Sequence, residues 1–354
     1  MEALSFLIIG AGAIGSYVGG SLAISGQRVT FLDRPEAVAQ IQARGITLRL
    51  PDGEQTLKPT LVASIEEALA LGPFDAGIFS VKSYHTKGAI QPLVPFAAQL
   101  PPILCLQNGV ENEPLLEQFL GKNKVIAGTV TTAIGLPAPG VIAVERLRGL
   151  GLAAPTDSPN HTLATRIYPA LERAGLRPVL YPNPAEMKWS KLLTNLTANA
   201  TSAILDMSPA EIFSHRGLVW LEMEQQREAL NVMQAMGLRV ISLPGTPVTL
   251  FAFAVRYLPI SLAQPILKKA VGSGRGGKMP SLHIDLHKGS AQSEVFALNG
   301  AVAAHGKRLG VRTPVNQTLN NLLTGLTKRE ISLTAFAKQP EKLLETIKQR
   351  GLSA

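Results

Sequence analysis

The sequence predicts an α/β domain of Rossmann type with a mostly parallel sheet, followed by an all-α domain, with a cleft between them. Three observations carry this expectation. A glycine-rich turn, Gly10-Ala-Gly12-Ala-Ile-Gly15, sits between an apolar run and a helical pattern. The first half of the chain alternates short apolar runs with helical periodicity, as βαβ units do. Beyond Tyr181-Pro-Asn-Pro184 the periodicity is helical almost to the end, and the two prolines mark a domain boundary. The expected domains are residues 1–183, which bind a dinucleotide, and 184–354, which bind the substrate.

Taken in order, Leu4–Ile9, Arg28–Leu32, Ala76–Ser80 and Ile103–Leu106 read as strands. Ile14–Ser25 and Glu36–Arg44 read as helices. Gly135–Leu152, rich in Val, Ile and Gly, reads as a hairpin extending the same sheet, and Pro155–Gly175 as a helix with its connections. The second domain is expected to hold helices over Ala185–Leu205, Leu218–Met236, Ser293–Leu309, Asn316–Leu326 and Glu341–Arg350.

Two apolar stretches need separate treatment. Ala3–Ile24 carries no charge, but glycines interrupt it and Glu2 stands where a signal peptide would be basic. Pro247–Leu267 is broken by Arg256, Pro259 and Pro265. It reads as buried or substrate-covering helices, with peripheral membrane contact as the alternative. No integral membrane segment is expected, and the chain reads as soluble and cytoplasmic.

At 46% hydrophobic and 17% charged residues, 354 residues can bury a sizeable core. The single cysteine, Cys105, excludes an intrachain disulfide and fits a reducing compartment. It lies in an apolar run and reads as core. The net charge of +9 favours anionic small molecules. Nucleic acid is not an expected partner, because the densest basic stretch, Lys268–Lys278, contains no aromatic residue. The six histidines show no HExxH spacing, so no metal site is expected.

The glycine turn is the strongest chemical signal. Gly10 permits the tight turn, Gly12 lets backbone approach a pyrophosphate, and Gly15 lets helix and strand pack closely. With Ala11, Ala13 and Ile14 they present free N–H groups at a helix N-terminus, where anions are favoured. The next strand ends in Asp33-Arg34. An acid there suits the ribose of NAD, and an arginine suits the phosphate of NADP. Asp33 also reads as a turn residue before Pro35, so NADPH is favoured with NAD as the alternative.

The richest helical pattern runs from Glu186 to Ser202, where Lys191, Asn195 and Asn199 recur every fourth residue. Asparagines are poor choices for a solvated helix face. The stripe reads either as a cleft lining or as a hydrogen-bonded, partly buried face. Asn108 in Gln107-Asn-Gly109 and Lys82 in Val81-Lys82 each follow an apolar strand, where α/β sheets bind ligands. Their competing readings are a turn asparagine and a solvated lysine.

These motifs resemble the ketopantoate reductase (2-dehydropantoate 2-reductase) family, from Gly10 to about Asn316. The other segments that carry the resemblance are Trp189-Ser-Lys191, Pro280-Ser281 through Asp285, Ser293-Glu294, Asn299-Gly300 and Thr313-Pro-Val-Asn316. The resemblance implies NADPH-dependent reduction of ketopantoate to pantoate, in pantothenate biosynthesis. It implies that Lys191 is the general acid and that Glu294 hydrogen-bonds within the site and helps bind substrate. Asn195, Asn199 and Ser281 would hold substrate, Asn108 would position substrate and cofactor, and Lys82 would lie near both. Glu294 lies nine residues after Asp285 where the family pattern has eight, and Phe296 replaces a frequent acid. The segment Leu243–Gly277 is long for the family. Another bulky 2-oxo acid, or a catalytically silent dinucleotide sensor, therefore stay as alternatives. A homodimer is compatible with the helical domain's apolar surface.

Overall fold

The structure is a computed structural model that describes residues 2–138, 140–275 and 279–351. The chain forms two compact units, Met1–Lys188 with Leu243–Thr246, and Trp189–Ser242 with Pro247–Ala354.

In the first unit the strands, in chain order, are β1 (Ser5–Ile9), β2 (Arg28–Leu32), β3 (Ile46–Leu50), β4 (Gly53–Leu57), β5 (Thr60–Val62) and β6 (Ala76–Phe79). They continue with β7 (Ile103–Cys105), β8 (Val125–Val130), β9 (Ala133–Ala138), β10 (Val141–Arg146), β11 (Leu150–Ala153) and β12 (Pro178–Tyr181). Eight of them form one sheet in the order β12-β11-β8-β7-β6-β1-β2-β5. Every neighbouring pair in it is parallel except β8 with β11. β1 lies between β2 and β6, so the chain leaves it to one side and later returns on the other. That reversal opens a crevice at the carboxyl ends of these strands.

Alternation along β1 divides the core. Phe6 and Ile8 face one layer with Tyr17, Val18, Leu22 and Phe31. Leu7 and Ile9 face the other with Val62, Ile65, Phe79 and Leu116. Both faces are covered, which explains why the parallel strands read as continuous apolar runs.

The expected hairpin exists, but it does not extend the large sheet. β9 and β10 pair with each other and with β3 and β4 in a second sheet of order β4-β3-β10-β9. β11, which the sequence placed in the hairpin, joins the large sheet. Helix Ala13–Ile24 packs against both sheets. A Cβ on Gly19 would meet Phe31 at 2.6 Å, and one on Gly20 would meet Leu48 at 2.9 Å. A helix buried on opposite faces is apolar all round. This accounts for the uncharged stretch that looks like a leader.

The second unit is helical. The expected helix Ala185–Leu205 is two helices, Pro184–Leu196 and Asn199–Leu205, separated by Ala198 at φ +50°. Glu222 causes the break to be stable. Its buried carboxylate accepts from Ala198 N at 2.7 Å and from the Thr201 hydroxyl, satisfying groups that the interrupted helix would leave bare. Glu228 does the same for helix Pro314–Thr327, accepting from Val315 N at 2.8 Å and Asn316 N at 2.9 Å. The expected helix Ser293–Leu309 is likewise split, into a 3-10 turn over Glu294–Ala297 and a helix over Asn299–Leu309.

The stretch Pro247–Leu267 was expected to be covering or buried. It forms helices Val248–Tyr257 and Ile260–Arg275, and Leu250, Phe253, Tyr257 and Leu262 are exposed. The basic stretch Lys268–Lys278 lies partly outside the described residues. No described helix is long and apolar enough to cross a membrane.

Burial pushes the Glu228 carboxyl up to about 7, against hydrogen bonds from Asn316 and Val315 that pull it down. The unfolded carboxyl ionises near 4.5, so charging costs the folded state more. The contribution to stability is whole below pH about 4.5 and is lost as pH rises through about 7. We expect urea unfolding to show a falling stability across this window, with a slope from this group approaching about 1.4 kcal/mol per pH unit. Glu228→Gln should remove that slope, whatever it does to the absolute stability.

Candidate active site

The first unit gathers its chemistry at the carboxyl ends of β1, β2, β6 and β7. Gly10 takes φ +97°, a conformation that disfavours any side chain. A Cβ there would also stand 2.7 Å from Val81 Cγ1, just past β6. Gly15 is required by contact: its Cβ would lie 2.0 Å from the Gly10 carbonyl oxygen. Gly12 differs from both, because a Cβ on it would meet nothing within 4 Å. The fold does not need a glycine at that position. The space beside it, at the N-terminus of helix Ala13–Ile24, is open to a ligand. The N-terminus carries no side-chain cap, so its first-turn N–H groups would favour an anionic pyrophosphate. Ala11, Ala13 and Ile14 complete this turn.

Asp33 is turned inward. Its Oδ2 accepts from Ala11 N at 2.6 Å and its Oδ1 from Arg34 N at 2.8 Å. The carboxylate braces the glycine loop against the end of β2. The Arg34 side chain is 75% exposed, with Nε 4.0 Å from Asp33 Oδ1. Such an exposed pair contributes little to stability and leaves the guanidinium accessible.

The loops after β6 and β7 are tied together by side chains. Ser80 donates to the Gly10 carbonyl at 2.8 Å. The Gln107 amide donates to Val81 O at 2.7 Å and to Thr86 Oγ1 at 2.8 Å. The carbonyl of Asn108 accepts from Ser83 Oγ at 3.0 Å and Asn112 Nδ2 at 2.7 Å. Asn108 and Lys82 are both partly exposed in these loops. The Cys105 thiol beneath is pushed well up by burial and by the Glu113 carboxylate, which fits a core residue and not a nucleophile.

Two residues under this loop, Lys188 and Glu113, stand outside the motifs of the sequence. Lys188 Nζ donates to Gln107 O at 2.6 Å and Gly128 O at 3.2 Å, and stands 2.7 Å from Glu113 Oε1. Both side chains are buried. Lys188 sits one turn before Lys191 on helix Pro184–Leu196, and only that proximity could have singled it out.

In the second unit the stripe Lys191, Asn195, Asn199 is not one helical face, because the helix breaks at Ala198. Lys191 and Asn195 remain one turn apart and half-buried. Asn199 opens the next helix and is buried. Its Oδ1 accepts from Leu282 N at 3.1 Å, and its Nδ2 donates to Asn195 O at 2.9 Å. It therefore serves as a structural link to the start of helix Ser281–His287, where Ser281 is exposed. Glu294 is buried in its 3-10 turn. Asn299 and Asn316 join a buried network, with Asn299 Nδ2 3.0 Å from Asn316 Oδ1 and 3.1 Å from Gln225 Oε1.

Two family models match this chain. The model described as ketopantoate reductase PanE/ApbA matches residues 6–153, and its C-terminal counterpart matches residues 183–327. The chain belongs to the ketopantoate reductase family. It is accordingly an oxidoreductase of a family that works with a nicotinamide dinucleotide. Similar curated proteins include the 2-dehydropantoate 2-reductase of Streptococcus pyogenes serotype M6, 25% identical over 317 residues, covering 89% of this chain and 95% of the relative. That of Pyrococcus horikoshii is 27% identical over 335 residues, covering 95% of this chain and all of the relative. Among solved structures, a PanE/ApbA family ketopantoate reductase from Ralstonia eutropha superposes with TM-score 0.75 at 25% identity, covering 92% of this chain and 99% of that one. A D-mandelate dehydrogenase with NADH and anilino(oxo)acetate shares the fold, with TM-score 0.77 at 22% identity and the same coverage.

The glycines make separable predictions. Gly12→Ser supplies a good N-cap, so chemical denaturation should move by no more than ~0.5 kcal/mol. Dinucleotide affinity, followed by fluorescence titration, should fall at least about tenfold, near 1.4 kcal/mol. Gly15→Ala should instead lower stability, because backbone must move. For the buried pair, Lys188→Met should cost about 3–5 kcal/mol in urea unfolding by stranding Glu113, and adding Glu113→Leu should restore part of it.

Proposed function

We propose that this reductase converts ketopantoate to pantoate with NADPH, a step toward pantothenate, and that it works in the cytoplasm on a small 2-oxo acid. The observation that carries the reading is the open space at Gly12 over a helix N-terminus, in a chain matched by both halves of the ketopantoate reductase model. In this reading residues 1–183 bind the dinucleotide, through Gly10 to Gly15, Arg34, Lys82 and Asn108, while residues 184–354 bind the oxo acid.

The inward turn of Asp33 supports NADPH over NADH. Its two oxygens are engaged by Ala11 N and Arg34 N, while the Arg34 guanidinium faces solvent and suits a 2′-phosphate. A bound nicotinamide supplies the hydride. The protein's residues manage the charge that then builds on the ketone oxygen. We assign Lys191 as the general acid: its ammonium polarises that oxygen and gives it a proton, completing the hydroxyl. Glu294, buried and acidic, is assigned to hold the substrate and Lys191 in register, and Asn195 and Ser281 to bind the oxo acid. Asn199 contributes through Leu282 and Asn195, to which its side chain is bonded.

A second reading, reduction of another bulky 2-oxo acid, is favoured by the nine-residue spacing of Glu294 from Asp285 and by exposed Phe296. Comparing kcat/KM over a panel of 2-oxo acids decides between them: a clear preference for ketopantoate removes the second. NADPH binding without oxidation by any member would leave the sensor reading.

Lys191→Ala should lower kcat by about 10²–10⁴-fold, the usual worth of a general acid, with NADPH still bound. Arg34→Ala should raise KM for NADPH by roughly 10- to 150-fold, the loss of one charged hydrogen bond, and leave NADH turnover unchanged. Equal effects on both cofactors would defeat the assignment of Arg34.

A further inference from the structure

The second unit holds a cluster that the reductase reading does not use. His283 and His287 lie four residues apart on helix Ser281–His287. Their rings stack with centroids 4.0 Å apart and planes inclined by 23°. Both Nε2 atoms approach one carboxylate oxygen, Asp206 Oδ1, at 2.7 Å and 3.9 Å. All three donor atoms lie within 4.8 Å of one another. Asp206 ends helix Asn199–Leu205 in the left-handed region at φ +49°, which fixes where its side chain starts.

We propose that Asp206, His283 and His287 form a binding site for a divalent cation of the zinc class, clamping the end of helix Asn199–Leu205 to helix Ser281–His287. The donor set argues for the ion. Two imidazoles and one carboxylate suit Zn²⁺, Co²⁺ or Ni²⁺, whereas Mg²⁺ and Ca²⁺ take oxygen ligands. Histidines at i and i+4 on one helix face are the spacing used by zinc sites of the HExxH kind. His283-Ile-Asp-Leu-His287 has this spacing without the glutamate of HExxH, so it corrects the expectation that the histidines show no ligand spacing. A tetrahedral zinc with bonds of ~2.0–2.1 Å holds its ligand atoms roughly 3.3 Å apart and lies in the plane of each imidazole, so binding requires the two rings to rotate out of their stack and onto the ion.

A hydrogen bond from His283 to Asp206 accounts for the 2.7 Å contact alone. It gives no role to the second imidazole, which stacks on the first and stands near the same oxygen. The site is accessible, since Asp206 is 45% and His287 33% exposed at the side chain. Three protein ligands leave a fourth position for water. Two cations lie nearby. Lys338 acts on Asp206, but its Nζ pairs with Glu211 at 3.1 Å, and Arg329 acts on His287. Their repulsion makes this a moderate site, weaker than a four-ligand structural one.

The test uses the full chain without an affinity tag, stripped of metal by a chelator and titrated with Co²⁺, then with Zn²⁺ in competition. We expect one Co²⁺ per chain with the visible bands of a tetrahedral ion, displaced by Zn²⁺, and a rise in Tm on binding. His287→Gln and Asp206→Asn should each weaken binding at least ~10-fold while far-UV dichroism and NADPH binding stay intact. Absence of stoichiometric binding, or binding unmoved by both substitutions, would overturn the proposal. The readout does not depend on turnover, so it stands or fails separately from the reductase reading.

Discussion

A buried ammonium organises the loop on which the first unit's site is built. Lys188 has left water, and it is tolerable there only because two carbonyls and the Glu113 carboxylate surround it. One of those carbonyls belongs to Gln107, whose amide in turn reaches Val81 and Thr86. The loops after β6 and β7 are thus held by a chain of polar contacts that is closed at its buried end. A half-satisfied version would be costly, so the loop has one favourable arrangement. Asn108 and Lys82 project from a platform and not from free coil.

The glycine loop is fixed by a different constraint, the close approach of backbone to backbone. Gly15 must lie against the Gly10 carbonyl, Gly10 against Val81, and Asp33 binds Ala11 from beside them. With these contacts made, the one glycine without a packing role is Gly12, and it faces the open helix end. The asymmetry separates the glycines that build the turn from the one that leaves room for a ligand. It also gives Asp33 a structural task, bracing the loop through Ala11 N.

The helical unit solves the problem of interrupted helices with carboxylates. Glu222 and Glu228 lie on one helix, Arg216–Ala235, and each accepts at the start of another, Glu222 from Ala198 N and the Thr201 hydroxyl, Glu228 from Val315 N and Asn316 N. Negative charge at a helix N-terminus is favoured by the dipole and by the unpaired donors. The cost is desolvation, visible in the raised pKa of Glu228. Asn299 and Asn316, prominent in the sequence as motif residues, belong to this support and hold the helices in place.

Local pattern in the sequence determined the Rossmann-type half, four strands of its large sheet, the glycine turn and the helical second half. Apolar runs, glycines and periodicity act within a few residues, so they are readable without a structure. The same locality explains the errors. Strands β9 and β10 pair on local grounds, but nothing local says that β10 also pairs with β3, about 90 residues earlier in the chain. The run from Ala185 to Leu205 has helical periodicity throughout, and its break is stabilised by Glu222, which lies outside the run. The even spacing of Lys191, Asn195 and Asn199 therefore suggested one face where there are two helices. Lys188 was as visible in the sequence as Lys191, but its partners at Glu113, Gln107 and Gly128 come from distant segments. Which polar residues work in a site and which hold the fold was decided only by tertiary structure, because burial and hydrogen-bond partners are properties of chain segments brought together in space.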